Sequence, residues 1–159
     1  MDKAAREKEA ITNVIEHFIE NEQARRLLLD IWDVVQAWDD AEDGDVNPQT
    51  SRAFRLSNVD LPTNPLYGPF GTAFQMQQMY LKWEAANAFE RANMPELLHK
   101  SYMLRAEYYQ LIVNMVCFFE GVEQAALKAP DIWLCYGETY QTYESELCLV
   151  QSSEQSAGA

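Results

Sequence analysis

Residues 108–119 read YYQLIVNMVCFF and are apolar throughout except for Gln110 and Asn114. A helix that is apolar on every side is normally buried on every side. This stretch therefore predicts a central helix surrounded by other helices. Asn114 would lie inside that core, where its amide needs a hydrogen-bond partner.

The segments on either side of this stretch have apolar residues at the three- and four-residue steps of amphipathic helices. The first predicted helix covers about residues 3–20. Asn21 is a suitable N-cap for a second helix that reaches about Asp43, where Gly44 stops it. A third covers Thr72 to Ala92.

Proline and glycine positions set the remaining boundaries. Pro95 is expected to open a fourth helix that continues through the apolar stretch to about Glu120. Pro130 is expected to open the last helix, whose stripe includes Trp133, Tyr140 and Tyr143. Residues 45–71 hold most of the other prolines and glycines, so they are predicted to be the longest irregular stretch, with a short helix ending at Arg55.

The predicted fold class is an all-α antiparallel bundle of about five helices with a buried central helix. At 159 residues the chain has the length of one domain. We assign residues 1–151 to a single helical domain and residues 152–159, which are small and polar, to a flexible tail.

Composition and charge narrow the function classes. The chain has 25 acidic and 12 basic residues, a formal net charge of −13. This balance argues against nucleic-acid binding, which needs clustered lysines and arginines. The sequence lacks an apolar run of membrane-spanning length and the apolar core of a signal peptide, so we expect an intracellular protein that does not enter a membrane. The three cysteines are expected to be buried, reduced thiols.

The most unusual local feature is the acidic stretch Trp38-Asp39-Asp40-Ala41-Glu42-Asp43-Gly44-Asp45. It lies at the predicted C-terminal end of the second helix, where the helix dipole disfavours carboxylates. Asp39 and Asp43 are one turn apart on the side that faces the bundle, and Asp40 lies about a quarter-turn away. Carboxylates without neighbouring cysteines or paired histidines suit Mg²⁺ or Mn²⁺. Asp39, Asp43 and Asp40 are therefore candidate metal ligands.

Two known motifs bear on this cluster. Asp39-Asp40-x-x-Asp43 resembles the first aspartate-rich motif of isoprenoid synthases, helical enzymes that hold diphosphate through Mg²⁺. The alternating Asp43, Asp45 and Asn47 are similar to a calcium-binding loop, although Pro48 replaces its glycine and Phe54 its final glutamate.

A purely structural interpretation is also open, in which arginines neutralise the acidic cluster. Arg105 is the main candidate, because it falls on the buried side of the fourth helix and needs an acidic partner there. Arg52 and Arg55, which follow the cluster, are further candidates. The candidate binding residues are Arg105, Arg55 and Asp45.

Several separate pieces of the sequence look like a family of uncharacterised proteins encoded by tailed bacteriophages. The matching pieces are Leu29-Asp30-Ile31-Trp32, Trp38-Asp39-Asp40-x-x-Asp43-Gly44-Asp45, Leu61-Pro62-x-Asn64-Pro65, Lys82-Trp83, Arg105-Ala106-x-Tyr108-Tyr109 and Tyr136-Gly137-Glu138. The resemblance spans most of residues 22–145. It implies a small phage protein that acts in the host bacterial cytoplasm or is carried in the virion.

Two hypotheses about function follow. The first is an acidic interaction or accessory protein that binds a phage or host protein through its negative surface, with no certain cofactor. The second is an enzyme dependent on Mg²⁺ or Mn²⁺ that acts on a phosphorylated or diphosphate small molecule, with Arg105 or Arg55 holding the phosphate. A minor third idea is mimicry of DNA by evenly spaced, exposed carboxylates.

Overall fold

The structure is a computed structural model that describes residues 3–42, 49–92, 94–145 and 147. All regular secondary structure in these ranges is helical, which confirms the predicted all-α class. The helices in chain order are α1 (Lys3–Phe18), α2 (Glu22–Glu42), α3 (Gln49–Arg55), α4 (Leu61–Thr63), α5 (Thr72–Ala92), α6 (Pro95–Arg105), α7 (Glu107–Glu120) and α8 (Val122–Leu134). A π-helical turn, Leu56–Asp60, joins α3 to α4.

The central helix of the bundle is α7, which contacts α1, α2, α5, α6 and α8. Residues 108–116 supply most of its buried face. The expected partners of Asn114 are present: its Nδ2 donates to Gln75 Oε1 at 3.0 Å, and its Oδ1 accepts from Gln110 Nε2 at 2.9 Å. The burial does not extend to the end of the helix, since Phe118 is 44% exposed and Phe119 is 43% exposed.

Short connections bring α6 back against α5 and α8 back against α7. Gly121, with φ of +88°, forms the turn between α7 and α8. The N-terminus of α2 is capped as predicted, because Asn21 Oδ1 accepts a hydrogen bond from the backbone N–H of Ala24 at 3.0 Å. Ile15 of α1 and Leu27 and Leu28 of α2 are fully buried in the shared core.

The prediction of one continuous fourth helix was wrong, because the helix is interrupted at Ala106, which separates α6 from α7. No proline or glycine lies between residues 96 and 120, so the break has no local signal. Tertiary hydrogen bonds lie on both sides of it. The Arg105 side chain bonds to α5, whereas the Tyr108 hydroxyl donates to the backbone carbonyl of Leu28 in α2.

The predicted role of Pro130 was also wrong. Pro130 lies inside α8, which runs continuously from Val122 to Leu134. Proline removes one intrahelical hydrogen bond. Pro130 and Ala126, whose carbonyl loses that bond, are both exposed, so water can take its place. Residues 136–139 leave the helix, and residues 140–145 are helical again.

The short helix predicted to end at Arg55 is present as α3. The residues after it, 56–63, were predicted to be irregular but are helical as well. Pro62 falls in the first turn of α4, a position that proline tolerates. Turns cover residues 64–71, where Asn64 Nδ2 donates to the carbonyl of Gln23 at 3.1 Å. The remainder of the predicted irregular stretch, residues 45–48, lies outside the described residues.

Candidate functional site

Arg105 lies at the C-terminal end of α6 and points its guanidinium into the bundle, where its side chain is 20% exposed. Its Nε and Nη2 donate to the two carboxylate oxygens of Glu90 in α5, at 3.0 and 2.8 Å. Nη2 also donates to Asn87 Oδ1, and Nη1 donates to Asp39 Oδ1 of α2 at 3.1 Å. One permanently charged side chain therefore joins α2, α5 and α6.

Glu90 is the second hub of this arrangement. Its Oε1 lies 2.6 Å from the Ser101 hydroxyl and also accepts from the Tyr143 hydroxyl. The Ser101 and Tyr143 hydroxyl oxygens are 2.6 Å apart. Through Tyr143, the segment 140–145 is attached to α5 and α6. We call Asp39, Asn87, Glu90, Ser101, Arg105 and Tyr143 the Arg105 network.

The ionisation of the network follows from its burial and its hydrogen bonds. Burial alone raises the pKa of Glu90, but hydrogen bonds from Arg105, Ser101 and Tyr143 outweigh it and hold that pKa below its ordinary value. Burial lowers the pKa of Arg105, whereas its bonds and charge attraction to Glu90 raise it more. Both groups are thus charged near neutral pH and form an ion pair inside the network.

Asp39, a predicted site residue, has two donors on the same oxygen. Besides Arg105, the indole N–H of Trp83 donates to Asp39 Oδ1 at 2.6 Å. The Asp39 side chain remains 44% exposed. The predicted ion pair between the acidic cluster and Arg105 is therefore confirmed.

The other two candidate arginines pair with acidic residues outside the Arg105 network. Arg55 pairs with Asp60, Nε to Oδ2 at 3.2 Å, and Arg52 pairs with Asp33, Nη2 to Oδ2 at 2.9 Å. Asp40 is half-buried on α2. Asp43 and Asp45 lie outside the described residues, so the predicted metal site on Asp39, Asp40 and Asp43 stays a prediction. In the ranges that are described, no three His, Cys, Asp or Glu side chains are grouped as metal ligands.

A narrow cleft adjoins Arg105, and its volume is about 30 Å³. This is room for one or two water molecules, whereas sites for small molecules usually measure about 300 to 1,000 Å³. The walls are mainly apolar. The lining residues are Val35, Trp38, Met79, Trp83, Leu104, Arg105, Glu107 and Tyr108.

Burial of its side chains limits the reactions that the Arg105 network could carry out on a substrate. Both hydroxyl-bearing residues of the network are buried, Ser101 fully and Tyr143 with 7% of its surface exposed. Arg105 cannot release a proton at ordinary pH, and Glu90 accepts bonds on both oxygens. The arrangement can hold helices in place, and its serine and tyrosine hydroxyls are closed to a substrate.

Sequence reasoning missed Glu90, Asn87 and Ser101. A signal was present on α5, where Trp83, Asn87 and Glu90 follow steps of four and three residues and so share one helix face. Three hydrogen-bonding side chains on the inner face of a helix need an internal partner. Arg105 was already identified as an inward cation that needed an acid.

Comparisons with protein-family models, curated protein sequences and solved structures find no match to this chain. Within the described ranges, no helix combines the length and apolar character needed to cross a membrane. The function must therefore be argued from the chain's own side chains.

Proposed function

We propose that this chain is an acidic interaction or accessory protein, a helical bundle whose task is to bind another protein. The observation that carries this proposal is the Arg105 network. Both carboxylates of this network, Asp39 and Glu90, are paired with a guanidinium, whereas a phosphate-processing enzyme would use inward carboxylates to hold a metal. The adjoining cleft admits water but is much smaller than a substrate.

The surface supports the same proposal. Many large apolar side chains are exposed on α5, α6, α7 and α8, and clusters of such residues often mark protein-binding surfaces. They include Phe74, Leu81, Met103, Phe118, Phe119, Val122, Leu127 and Leu134. Surrounding acidic charge would select partners with basic surfaces and speed their approach.

The biological context that we propose is a tailed bacteriophage, with a phage or host protein as the partner. The support is the resemblance of the separate pieces within residues 22–145 described above. In that setting the protein acts in the bacterial cytoplasm or is carried in the virion.

The competing function is a metal-dependent enzyme, and metal titration separates it from an interaction protein. We would titrate Mg²⁺, Mn²⁺ and Ca²⁺ calorimetrically into chelator-treated protein and into the double variant Asp39→Asn/Asp43→Asn. The proposal expects no saturable binding in the micromolar range by either protein. Saturable binding that the double variant loses, while its circular dichroism is unchanged, would contradict the proposal and restore the enzyme hypothesis.

A second experiment tests the partner directly. The tagged protein would be cross-linked in infected host cells, and the cross-linked peptides would be mapped by mass spectrometry. We expect one phage or host protein to be joined reproducibly to surface residues of the bundle. Cross-links spread over many abundant proteins, without a recurring pair of sites, would count against a specific partner.

A further inference from the structure

The outward face of α8 carries two leucines that are among the most exposed apolar side chains described. Leu127 is 71% exposed and Leu134 is 80% exposed. Pro130 is exposed between them, and we call these three residues the α8 ridge. The opposite face of α8 holds Ala125 and Ile132, which are buried against the bundle. Among the described residues, the ridge is thus a second apolar face of α8 that is not packed against the core.

The spacing of the ridge suits a helical partner. Leu127 and Leu134 are seven residues apart, which places them on the same side of α8 and roughly 10 Å apart along its axis. Apolar residues repeated every seven positions form the seam by which two helices pack together. An amphipathic helix laid along α8 could cover both leucines at once.

The charges beside the ridge are acidic. Glu123 and Asp131 are exposed on the same face of the helix. Lys128, the nearest cation in the sequence, is held by Glu120, with Nζ at 2.8 and 2.7 Å from its two carboxylate oxygens. Beyond Lys128 the sequence contains no lysine or arginine. A helix that docks here therefore gains most if basic residues flank its apolar stripe.

This charge pattern disfavours a second copy of the chain as the occupant. In a symmetric antiparallel pairing of two α8 helices centred on the ridge, Asp131 would face Asp131 of the other copy. Each copy also has a formal net charge of −13. Like charges in such a position are destabilising, whereas an opposed lysine or arginine is favourable.

We infer that the α8 ridge is the docking site for a basic amphipathic helix of the partner protein. The partner's apolar stripe packs on Leu127 and Leu134, and its lysines or arginines pair with Glu123 and Asp131. This inference rests on the proposed interaction function and adds the surface and the kind of partner.

The first test uses a designed probe, a labelled helical peptide of three heptads with leucine at the seam positions and lysine beside them. Fluorescence anisotropy would measure its binding to the full chain. We expect saturable binding that weakens at least tenfold in Leu127→Ser/Leu134→Ser. Asp131→Asn should weaken binding about threefold, since one ion pair is lost.

Matched controls distinguish binding at the ridge from nonspecific binding to other exposed apolar side chains. Leu81→Ser/Met103→Ser removes two exposed apolar side chains from α5 and α6, and it should bind the peptide within about twofold of wild type. Peptides with alanine replacing leucine, or glutamate replacing lysine, should bind at least tenfold more weakly. If the alanine peptide bound as tightly as the leucine peptide, charge alone would attract the probe. That result would overturn the inference that the ridge is a docking site.

Two further outcomes would overturn the inference. One is unchanged peptide affinity in Leu127→Ser/Leu134→Ser. The other is a concentration-dependent dimer of the wild type, seen by sedimentation, that this variant abolishes, because a second copy would then cover the ridge. Cross-links from the infected cells distinguish failure of the docking-site inference from failure of the proposed function. A specific partner cross-linked away from α8 would overturn only the inference about the ridge. Absence of any specific partner would also contradict the proposed interaction function.

Discussion

Arg105 shows how strongly one side chain can depend on its neighbours. Its guanidinium meets Glu90, Asn87 and Asp39, which come from two other helices. A charge that is mostly removed from water is tolerated when opposite charges and hydrogen-bond acceptors surround it. Removing the cation leaves Glu90 enclosed by protein without its counter-charge.

We therefore expect Arg105→Met to lower the free energy of unfolding by about 2 to 4 kcal/mol, measured by urea denaturation at pH 7. Arg55→Met is the control, because Arg55 is 73% exposed in its pair with Asp60. Exposed pairs contribute about 0 to 1 kcal/mol. Equal losses in the two variants would contradict the structural role given to Arg105.

Glu90 should make stability dependent on acid pH. Its pKa is lower in the folded protein than its ordinary value of 4.5, so the unfolded chain takes up the proton first as the pH falls. Its stabilising contribution is complete above about pH 4.5 and is lost as the pH falls from there through the lower folded pKa.

The measurement is the free energy of unfolding between pH 6.5 and pH 3 in wild type and in Glu90→Gln. The variant should be less stable at pH 6.5 and should lose less stability on acidification, because it lacks the titrating carboxylate. Glu20→Gln, at an exposed position, should follow the wild-type curve. Parallel curves for wild type and Glu90→Gln would rule out this role for Glu90.

Among the helices, α8 is the one whose boundaries differ most from expectation. Its interior proline has no N–H to donate to the carbonyl of Ala126, yet the helix continues past it to Leu134. The cost of proline inside a helix is about 3 kcal/mol relative to alanine. Burial of Ala125 and Ile132 on either side of Pro130 helps to offset that cost.

Pro130→Ala should consequently raise the free energy of unfolding by about 1 to 3 kcal/mol. The gain is smaller than the full helical cost, because alanine also gives the unfolded chain more freedom. Pro62→Ala is the matched control, since Pro62 lies in the first turn of α4 and should give no gain. A loss of stability in Pro130→Ala would support a helix that begins at Pro130.

At the scale of the whole molecule, the main electrostatic feature is the excess of acidic over basic residues. The formal net charge of −13 means that folding brings many like charges together. Dissolved salt screens such repulsion with a Debye length of about 10 Å at 0.1 M. The internal contacts of the Arg105 network are less accessible to this screening.

We expect the urea midpoint at pH 7 to rise between 0.05 M and 0.5 M NaCl. Urea is the suitable denaturant because it adds no ions. The triple variant Glu16→Gln/Glu20→Gln/Glu22→Gln, which removes exposed carboxylates, should show a smaller rise. A midpoint that falls with salt would mean that surface ion pairs outweigh the net repulsion.

Local patterns in the sequence were sufficient for the helical class, the central position of residues 108–116, the Asn21 cap and the need of Asn114 for a partner. Each follows from helix periodicity or from the properties of one residue, and these act over a few neighbouring positions. The inward direction of Arg105 was also predictable, because the helical period fixes which side a residue faces.

Only the tertiary structure decided that Arg105, Ser101 and Tyr143 meet at Glu90. It also decided that the fourth predicted helix breaks at Ala106 and that α8 runs through Pro130. These outcomes depend on which helices become neighbours and at what offset along their axes. Such contacts join residues far apart in the chain, as Arg105 and Asp39 are, and the packing of the core sets them. A pattern with a period of 3.6 residues gives the direction of a side chain but does not identify its partner on another helix.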